Sequence, residues 1–555
     1  GGKLKVKTIK ATTPFKWTDY ATKKQLPIII VLVVFNSLLA CTGTAGAIVS
    51  KYLIDNAVNK NIRMFFIFAV ILASIFIFNT VFKALTNYLT ERSRALIEQN
   101  IKADLFRQIT LKNYEDISSF HSGTLLNRLT SDVTLISNCV TTVLPTTVSV
   151  IVKLVCAFVV ITMFEPWFSV LFLIGGFFVF FATKLMRTKL KKLHKKVQEE
   201  DDKLRSFWQE CLSNLLAVKV FSNENNMDKK SNELQDNCFK AKMKKTKFSV
   251  FTGACYSGVM YLGYLFAFIW CAVMLIVDAT FTYGSFTAII QLVNQVQQPF
   301  STFSGVIPQY YNAMASAERI MEIEDIEDEK SNNEKINAES VYSKLKSIKI
   351  NNLSFAYKRD KVFENLNFEL NKGDFAAIVG HSGIGKSTLF KIMLGVYSPM
   401  SGSIDLVCDD KTIKCSNNTR KLFSYVPQGN LIFSGSIKQN ILFVNQNATE
   451  SQIKTAIELS CVNEFVEKLP LGIDTKIGEK GLGLSEGQVQ RIAIARALLS
   501  NAPILLLDEA TSALEAKTET KVLENLKSID NKTCIFVTHR KQALTVCNKM
   551  WEIKV

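Results

Sequence analysis

The sequence predicts a polytopic α-helical membrane domain, with six transmembrane helices and long cytoplasmic extensions, followed by an α/β domain. Three observations carry that prediction. Six apolar stretches long enough to cross ~30 Å of hydrocarbon precede residue 310. After about residue 347, short β-like runs alternate with helical ones. An acidic, polar stretch separates the two regimes. At 555 residues the chain is too long for one compact core. Its 48% hydrophobic and 21% charged residues, with a mean hydropathy of +0.16, suit a membrane part joined to a water-exposed part.

Residues 1–26 read as a basic N-terminal segment. Phe15, Trp17 and Tyr20 interleave there with Lys16, Lys23 and Lys24, the pattern of a short helix lying at the lipid interface. Residues 27–320 form the membrane domain, with apolar stretches at 27–50, 65–89, 137–164, 166–186, 248–277 and 283–306. Only helices fit these, because in a bilayer each backbone polar group must be satisfied within its own segment. The third and fourth stretches are joined by little more than Glu165-Pro166, and the fifth and sixth by about Asp278 to Tyr283, which makes these the short outer loops. The long charged connections after the second and fourth stretches are expected as cytoplasmic helix extensions. Residues 321–346, with Asp325, Glu327, Asp328, Glu329 and Ser331-Asn332-Asn333, read as a linker, and 347–555 as the α/β domain.

The net charge of +17 raises the question of nucleic acid, and its placement answers against that partner. Residues 1–24 hold seven lysines and one acid, and residues 184–249 hold 17 Lys/Arg and nine acids. Both segments flank apolar stretches, where basic excess marks the cytoplasmic side and meets anionic lipid headgroups. The expected partner is the lipid bilayer. Twelve cysteines are scattered without a CxxC pair, so neither a zinc set nor a disulfide framework is visible. The chain opens on Gly-Gly with no Met and no cleavable signal pattern, so its natural start can lie upstream.

The chemistry concentrates in the second half. Gly380-His381-Ser382-Gly383-Ile384-Gly385-Lys386-Ser387, followed by Thr388, fits the phosphate-loop pattern G-x4-G-K-[ST]. A strand, Phe375 to Val379, precedes it and a helix follows, the required order. Glycines let backbone N–H groups surround phosphates, the helix N-terminus adds its positive end, Lys386 reaches the outer phosphates, and Ser387 is a Mg²⁺ ligand. Downstream, the aliphatic run Ile504 to Leu507 ends in Asp508 and Glu509. That places two carboxylates at the carboxyl edge of the sheet, where ligands bind. Asp508 is expected to hold Mg²⁺ through water, and Glu509 to orient or deprotonate the attacking water.

Leu484-Ser485-Glu486-Gly487-Gln488, followed at once by the helical run Val489 to Leu499, resembles the signature motif of ABC ATPases. The resemblance covers the whole α/β domain. Tyr357 resembles the A-loop aromatic that stacks on adenine, Gln428 the Q-loop glutamine that also reaches Mg²⁺, and His539 the switch histidine. Ser512-Ala513-Leu514-Glu515 resembles the D-loop, and Gly123 to Asp132 the first intracellular loop of ABC exporters. Two positions depart from the commonest pattern: Glu486 stands where Gly is usual, and Glu515 where Asp is usual. A Glu486 side chain turned toward phosphate would weaken closure; one turned to solvent would not.

The resemblance implies an ATP-driven half-transporter of the exporter type. Each ATP would lie between the phosphate loop of one subunit and the signature motif of the other, with Glu509 and His539 catalytic. A homodimer is the simpler assembly because no catalytic part is missing, and pairing with another ABC half-transporter is the alternative. Transmission is expected through the tips of the cytoplasmic loops, near Asn127 to Asp132 and Phe221 to Asp228. The scarcity of membrane charges favours an amphipathic or hydrophobic cargo such as a lipid, drug or peptide. An importer on the same fold and an ATP-gated channel are the rival readings. The expected location is the plasma membrane, multi-pass, with the nucleotide domain in the cytoplasm.

Overall fold

The computed structural model describes residues 13–278, 280–329, 336–357, 360–429, 432–478 and 483–553, and their side chains except at 168–187 and 297–304. Residues 1–12 of the expected basic segment and Ser331-Asn332-Asn333 of the expected linker lie outside the described residues. The chain divides into two compact units, the residues up to Arg107 with Gly123–Glu322, and Gln108–Ser122 with Ile323–Val555.

The first unit is helical. Thr13 caps the short helix Pro14–Thr22, whose Trp17 is buried while Phe15 and Tyr20 are exposed. Four helical stretches among the described residues are long and apolar enough to cross a membrane: Pro14–Val58, Ile62–Leu111, Ser122–Phe164 and Glu224–Val277. The expected spans at 166–186 and 283–306 fall on the continuous helices Pro166–Ser213 and Tyr283–Glu324, where many side chains lie outside the described residues. A helix such as Ile62–Leu111, with its 50 residues, is about 75 Å long. It overshoots the hydrocarbon by more than its own membrane-crossing length.

Between Leu144–Phe164 and Pro166–Ser213 only Glu165 is extended, because the following proline cannot continue a helix. At the outer end, the Asp55 carboxylate accepts from Gly284 N at 2.9 Å and from Thr282 Oγ at 3.0 Å, fastening the start of Tyr283–Glu324. Small side chains, Ala47, Ala157, Ala267 and Cys271, pack with Ile161, Ile289 and Leu292 where the helices approach closely.

The second unit is α/β. Its strands are β1 (Leu345–Tyr357), β2 (Asp360–Asn371), β3 (Phe375–Val379), β4 (Ser401–Cys408), β5 (Thr412–Lys414), β6 (Phe423–Val426), β7 (Gly435–Ser436), β8 (Lys476–Ile477), β9 (Ile504–Asp508), β10 (Thr533–Val537) and β11 (Lys549–Glu552). One antiparallel sheet runs β2-β1-β4-β5. The other, all parallel, runs β11-β3-β10-β9-β6. β9 and β10 are buried at every position, as a central strand covered on both faces must be. The described part of the expected linker 321–346 is more structured than a free one. The helix Ala338–Ser343 buries Tyr342, whose hydroxyl pairs with Thr533 Oγ at 2.9 Å.

The run Asn127 to Asp132, expected to carry transmission, is helical and lies past the turn of the chain. Arg128 and Asp132 are buried within the first unit, tied to the helix Tyr283–Glu324. Arg128 donates to Glu322 at 2.6 Å, and Asp132 accepts from Ser316 and Arg319. The segment that joins the second unit comes earlier, at Gln108–Ser122. Asn113 caps a single turn, Tyr114–Ile117, which reverses the chain there. Lys112 pairs with Asp328 at 2.8 Å, and Asn113 N donates to Glu327 O at 3.0 Å. The reversal is set by the asparagine cap and not by the Gly123 to Asp132 run that carries the resemblance.

Candidate functional site

Sheet order positions the site. β3, β10, β9 and β6 lie side by side and parallel, so the loops at their carboxyl ends open on one edge. They deliver the phosphate loop, His539, Asp508-Glu509 and Gln428. The phosphate loop closes on Gly385, with φ at 99°, where an added Cβ would fall 2.2 Å from Val362 Cγ1. Only glycine fits both the left-handed backbone and that approach. Lys386, 6% exposed, is the first residue of the helix Lys386–Met393. Its ammonium donates to Gly380 O at 2.7 Å and His381 O at 3.0 Å, and lies 3.2 Å from His539 Nε2. An ammonium has no lone pair, so Nε2 is the acceptor there and the imidazole proton sits on Nδ1. Within the loop, His381, Ser382 and Gly383 are exposed, while Ile384 and Thr388 are buried.

Asp508 is 1% exposed. Its Oδ2 accepts from the Tyr425 hydroxyl at 3.1 Å, and Ser387 is a further hydrogen-bond partner of the carboxylate. Burial pushes the Asp508 carboxyl above its ordinary range, against the pull of those bonds. Oδ1 is buried with no hydrogen-bond partner. A buried carboxylate oxygen left open beside a serine hydroxyl is a ready ligand for a hard cation. Glu509 takes a left-handed backbone, φ 49°, held by its N–H on Val537 O at 2.9 Å. That conformation costs a non-glycine residue about 1 kcal/mol and aims the side chain across the edge. Gln428 Nε2 donates to Glu509 Oε2 at 2.7 Å. Ser387, Gln428 and Asp508 share a cleft of ≈ 720 Å³ with Tyr114, Lys391 and Tyr425.

Tyr357 donates to or accepts from Thr388 Oγ at 3.0 Å and packs edge-on against Tyr397, ring centroids 5.4 Å apart. Tyr397 in turn meets Tyr114 edge-on at 6.1 Å. An aromatic chain therefore joins the A-loop position to the turn Tyr114–Ile117. Neither Tyr397 nor Tyr425 was among the residues expected from the sequence. Tyr425 sits three residues before Gln428 on β6, and that spacing beside a glutamine was the available signal.

The signature residues form a second cluster. Ser485 caps the helix Glu486–Leu499 and exchanges bonds with Gln488 in a capping box, while Leu484 packs into the core beneath. Glu486 is exposed in the first turn, where a negative charge favours the helix terminus. Gly487 faces Ala513 O, which an added Cβ would meet at 2.7 Å. Gln490 spans to the D-loop, donating to Ser512 Oγ at 2.9 Å and accepting from Ala513 N at 3.0 Å. Arg540 donates to Leu514 O and Glu519 at 2.7 Å each, and to Ser512 O. Glu515 stands at the N-cap of the helix Ala516–Lys527 but makes no capping bond, its side chain being one methylene too long for the role aspartate fills.

Comparison with known proteins agrees with this organisation. The family model for the ABC transporter transmembrane region matches residues 29–300, and that for the ABC transporter matches residues 363–512. The chain is 29% identical to an ATP-dependent lipid A-core flippase of Desulfotalea psychrophila, over 96% of this chain and 92% of the other. It is 31% identical to a putative export ATP-binding/permease protein of Rickettsia bellii, over 87% and 83%. The fold matches that of a bacterial Atm1-family ABC exporter with ATP bound, TM-score 0.80 at 21% identity, covering 96% of this chain and 94% of that one.

Proposed function

This chain belongs to the ABC transporter family as an exporter-type half-transporter with an ATPase coupled to transport, and from that premise we propose that two copies pair over two ATP to move an amphipathic or hydrophobic cargo across the plasma membrane. The observation that carries the proposal is the shared sheet edge. Lys386, Ser387, Gln428, Asp508, Glu509 and His539 converge there in one chain, beside an intact Ser485 and Gly487. No catalytic part has to come from a different gene product.

In this reading Tyr357 stacks on adenine, and the loop of Gly380, His381, Ser382, Gly383, Ile384, Gly385 and Thr388 cradles the phosphates. Lys386 leaves the carbonyls of Gly380 and His381 for the β- and γ-phosphates. Glu509, released by Gln428, takes a proton from the attacking water. Once Lys386 leaves, His539 takes the tautomer with its proton on Nε2 and donates that N–H to the γ-phosphate. Asp508, Ser387 and Gln428 would hold Mg²⁺, an all-oxygen set suited to a hard cation. When bound, that ion neutralises charge building on the phosphates. Ser485, Gly487 and the D-loop act on the ATP of the second copy, and the exposure of Glu486 supports a side chain turned to solvent. Phe221, 79% exposed at the tip of the second cytoplasmic hairpin, offers an unburied aromatic to that copy.

The lipid A-core flippase among the relatives supports a lipid-like cargo, and the relatives favour export over the importer and gated-channel readings. The test is to express the chain alone, reconstitute it in lipid, and measure mass and ATPase activity. A dimer that hydrolyses ATP is expected; a monomer silent until a second ABC subunit is added would overturn the homodimer.

A further inference from the structure

Asp508 closes β9 and faces two neighbours at once. Its Oδ1 is open toward the cation proposed for the site, and its Oδ2 accepts from the hydroxyl of Tyr425 on β6 at 3.1 Å. The Mg²⁺ reading above uses the first oxygen and leaves the second, with its tyrosine, without a task.

Strand register shows why only a long side chain can make that bond. β6 and β9 run parallel, with Tyr425 opposite Leu506 and Val426 opposite Leu507. Leu506 and Tyr425 share one face of the sheet and pack into the same core. Asp508 lies two residues beyond Leu506 on that face, and so about 6.6 Å further along the strand. A serine or threonine at 425 would fall short, whereas a tyrosine ring spans the gap. The ring is itself fixed. It packs edge-on against the fully buried Phe390 of the helix Lys386–Met393, with centroids 6.0 Å apart. Burial and the neighbouring Asp508 carboxylate push the phenol well above its ordinary range, so it stays protonated and remains a donor.

A carboxylate held this way offers a cation one oxygen, to the ion itself or to a water of its shell. Asp508 is 1% exposed, so presenting both oxygens would break the tyrosine bond inside the fold. The two common divalent cations differ in what they take from a carboxylate. Ca²⁺ has a large, adaptable shell and often takes both oxygens of one carboxylate, whereas Mg²⁺ demands a strict octahedron and keeps several of its waters.

We propose that Tyr425 is a positioning residue that sets the metal preference of the site: by occupying Oδ2 it makes Asp508 a one-oxygen ligand, and so favours Mg²⁺ over Ca²⁺. The inference rests on the nucleotide-site reading above and adds the residue that tunes it. Without the hydroxyl, Oδ2 is freed and the carboxylate can turn to chelate, which helps Ca²⁺ and loosens the geometry Mg²⁺ needs. In this role Tyr425 acts through Asp508 and not on ATP.

The test uses the full-length protein in lipid nanodiscs with the non-hydrolysable analogue AMP-PNP, and it reads metal binding instead of turnover. Bound Mn²⁺ is followed by electron paramagnetic resonance and displaced with Mg²⁺ or with Ca²⁺. In the parent, Mg²⁺ should displace Mn²⁺ at a lower concentration than Ca²⁺ does. Tyr425→Phe keeps the ring and should keep the Tm, yet shift that ratio toward Ca²⁺ about tenfold, the scale of one hydrogen bond to a charged group. Replacing Tyr425 by 4-aminophenylalanine returns a donor and should restore the parental ratio. A ratio unchanged in Tyr425→Phe, or altered equally by both replacements, overturns the inference and leaves the phosphate-loop assignment standing. A parent that binds AMP-PNP but holds no Mn²⁺ overturns the metal reading and the inference with it. One that binds no AMP-PNP overturns the nucleotide site on which both rest.

Discussion

The two units differ in where the polar groups that matter most find their partners. In the membrane unit, hydroxyls bond back to their own helix: Ser37 to Val33 O, Thr86 to Phe82 O, Thr90 to Thr86 O. In the nucleotide unit such local bonds occur as well, Thr520 to Ala516 O among them, but the groups around the site bond across the fold: the Tyr425 hydroxyl donates to Asp508 and the Gln490 amide to Ser512. A membrane helix has no water to fall back on, so it settles its polar groups locally before it packs. A soluble domain can leave them to be paired by tertiary structure. The difference teaches where each unit is fragile: the first at its few long-range polar ties, the second throughout its edge.

The largest expected effect lies on that edge. Lys386→Ala should abolish ATP turnover, since the loop loses the cation that offsets phosphate charge, while the membrane helices still fold; parental turnover in the purified variant would remove the assignment. Glu509→Gln comes next. The amide is isosteric, so ATP binding should persist while turnover falls roughly a hundredfold or more with loss of the general base, as single-turnover and binding measurements would reveal.

Within the membrane unit the comparison sharpens at Asp132. Its long-range bonds to Ser316 and Arg319 are exceptions to local pairing. Asp132→Ala should cost about 2 kcal/mol of stability, the scale of a charged hydrogen bond, measured as a lowered Tm in detergent; an unchanged Tm would show that these ties are idle. Tyr397→Leu should leave ATP binding nearly intact and weaken the dependence of ATPase activity on the lipid environment, because the aromatic chain from Tyr357 to Tyr114 is cut. The smallest effect is expected at Val155→Leu, exposed on the helix Leu144–Phe164, within about 0.5 kcal/mol. A large loss there would mean that this face packs against protein.

Much of the proposed nucleotide site was legible because its chemistry is written in short, contiguous runs. Gly380 to Thr388, Leu484 to Gln488 and Asp508-Glu509 need residue types at fixed spacing, and the structure places them where β3, the helix Glu486–Leu499 and β9 require. Tyr397 and Tyr425 were not legible, because each gains its place from a contact with a residue far away in sequence. The turn Tyr114–Ile117 was not legible for a similar reason. Asn113 acts through the cap it makes, and a lone asparagine in a long charged helix carries little signal of its own.

By itself the sequence determined the membrane helices, the α/β domain and the motif runs on which the phosphate site is proposed, because hydrophobic length, periodicity and motif spacing are local properties of a chain. Only the tertiary structure decided which strands lie side by side, that Gln428 meets Glu509, and that Lys386 rests on His539. Those are juxtapositions between segments up to 173 residues apart, as Lys549 on β11 is from Ala376 on β3. They depend on strand order and helix packing, which are set by the burial of whole faces and not by any one run of residues.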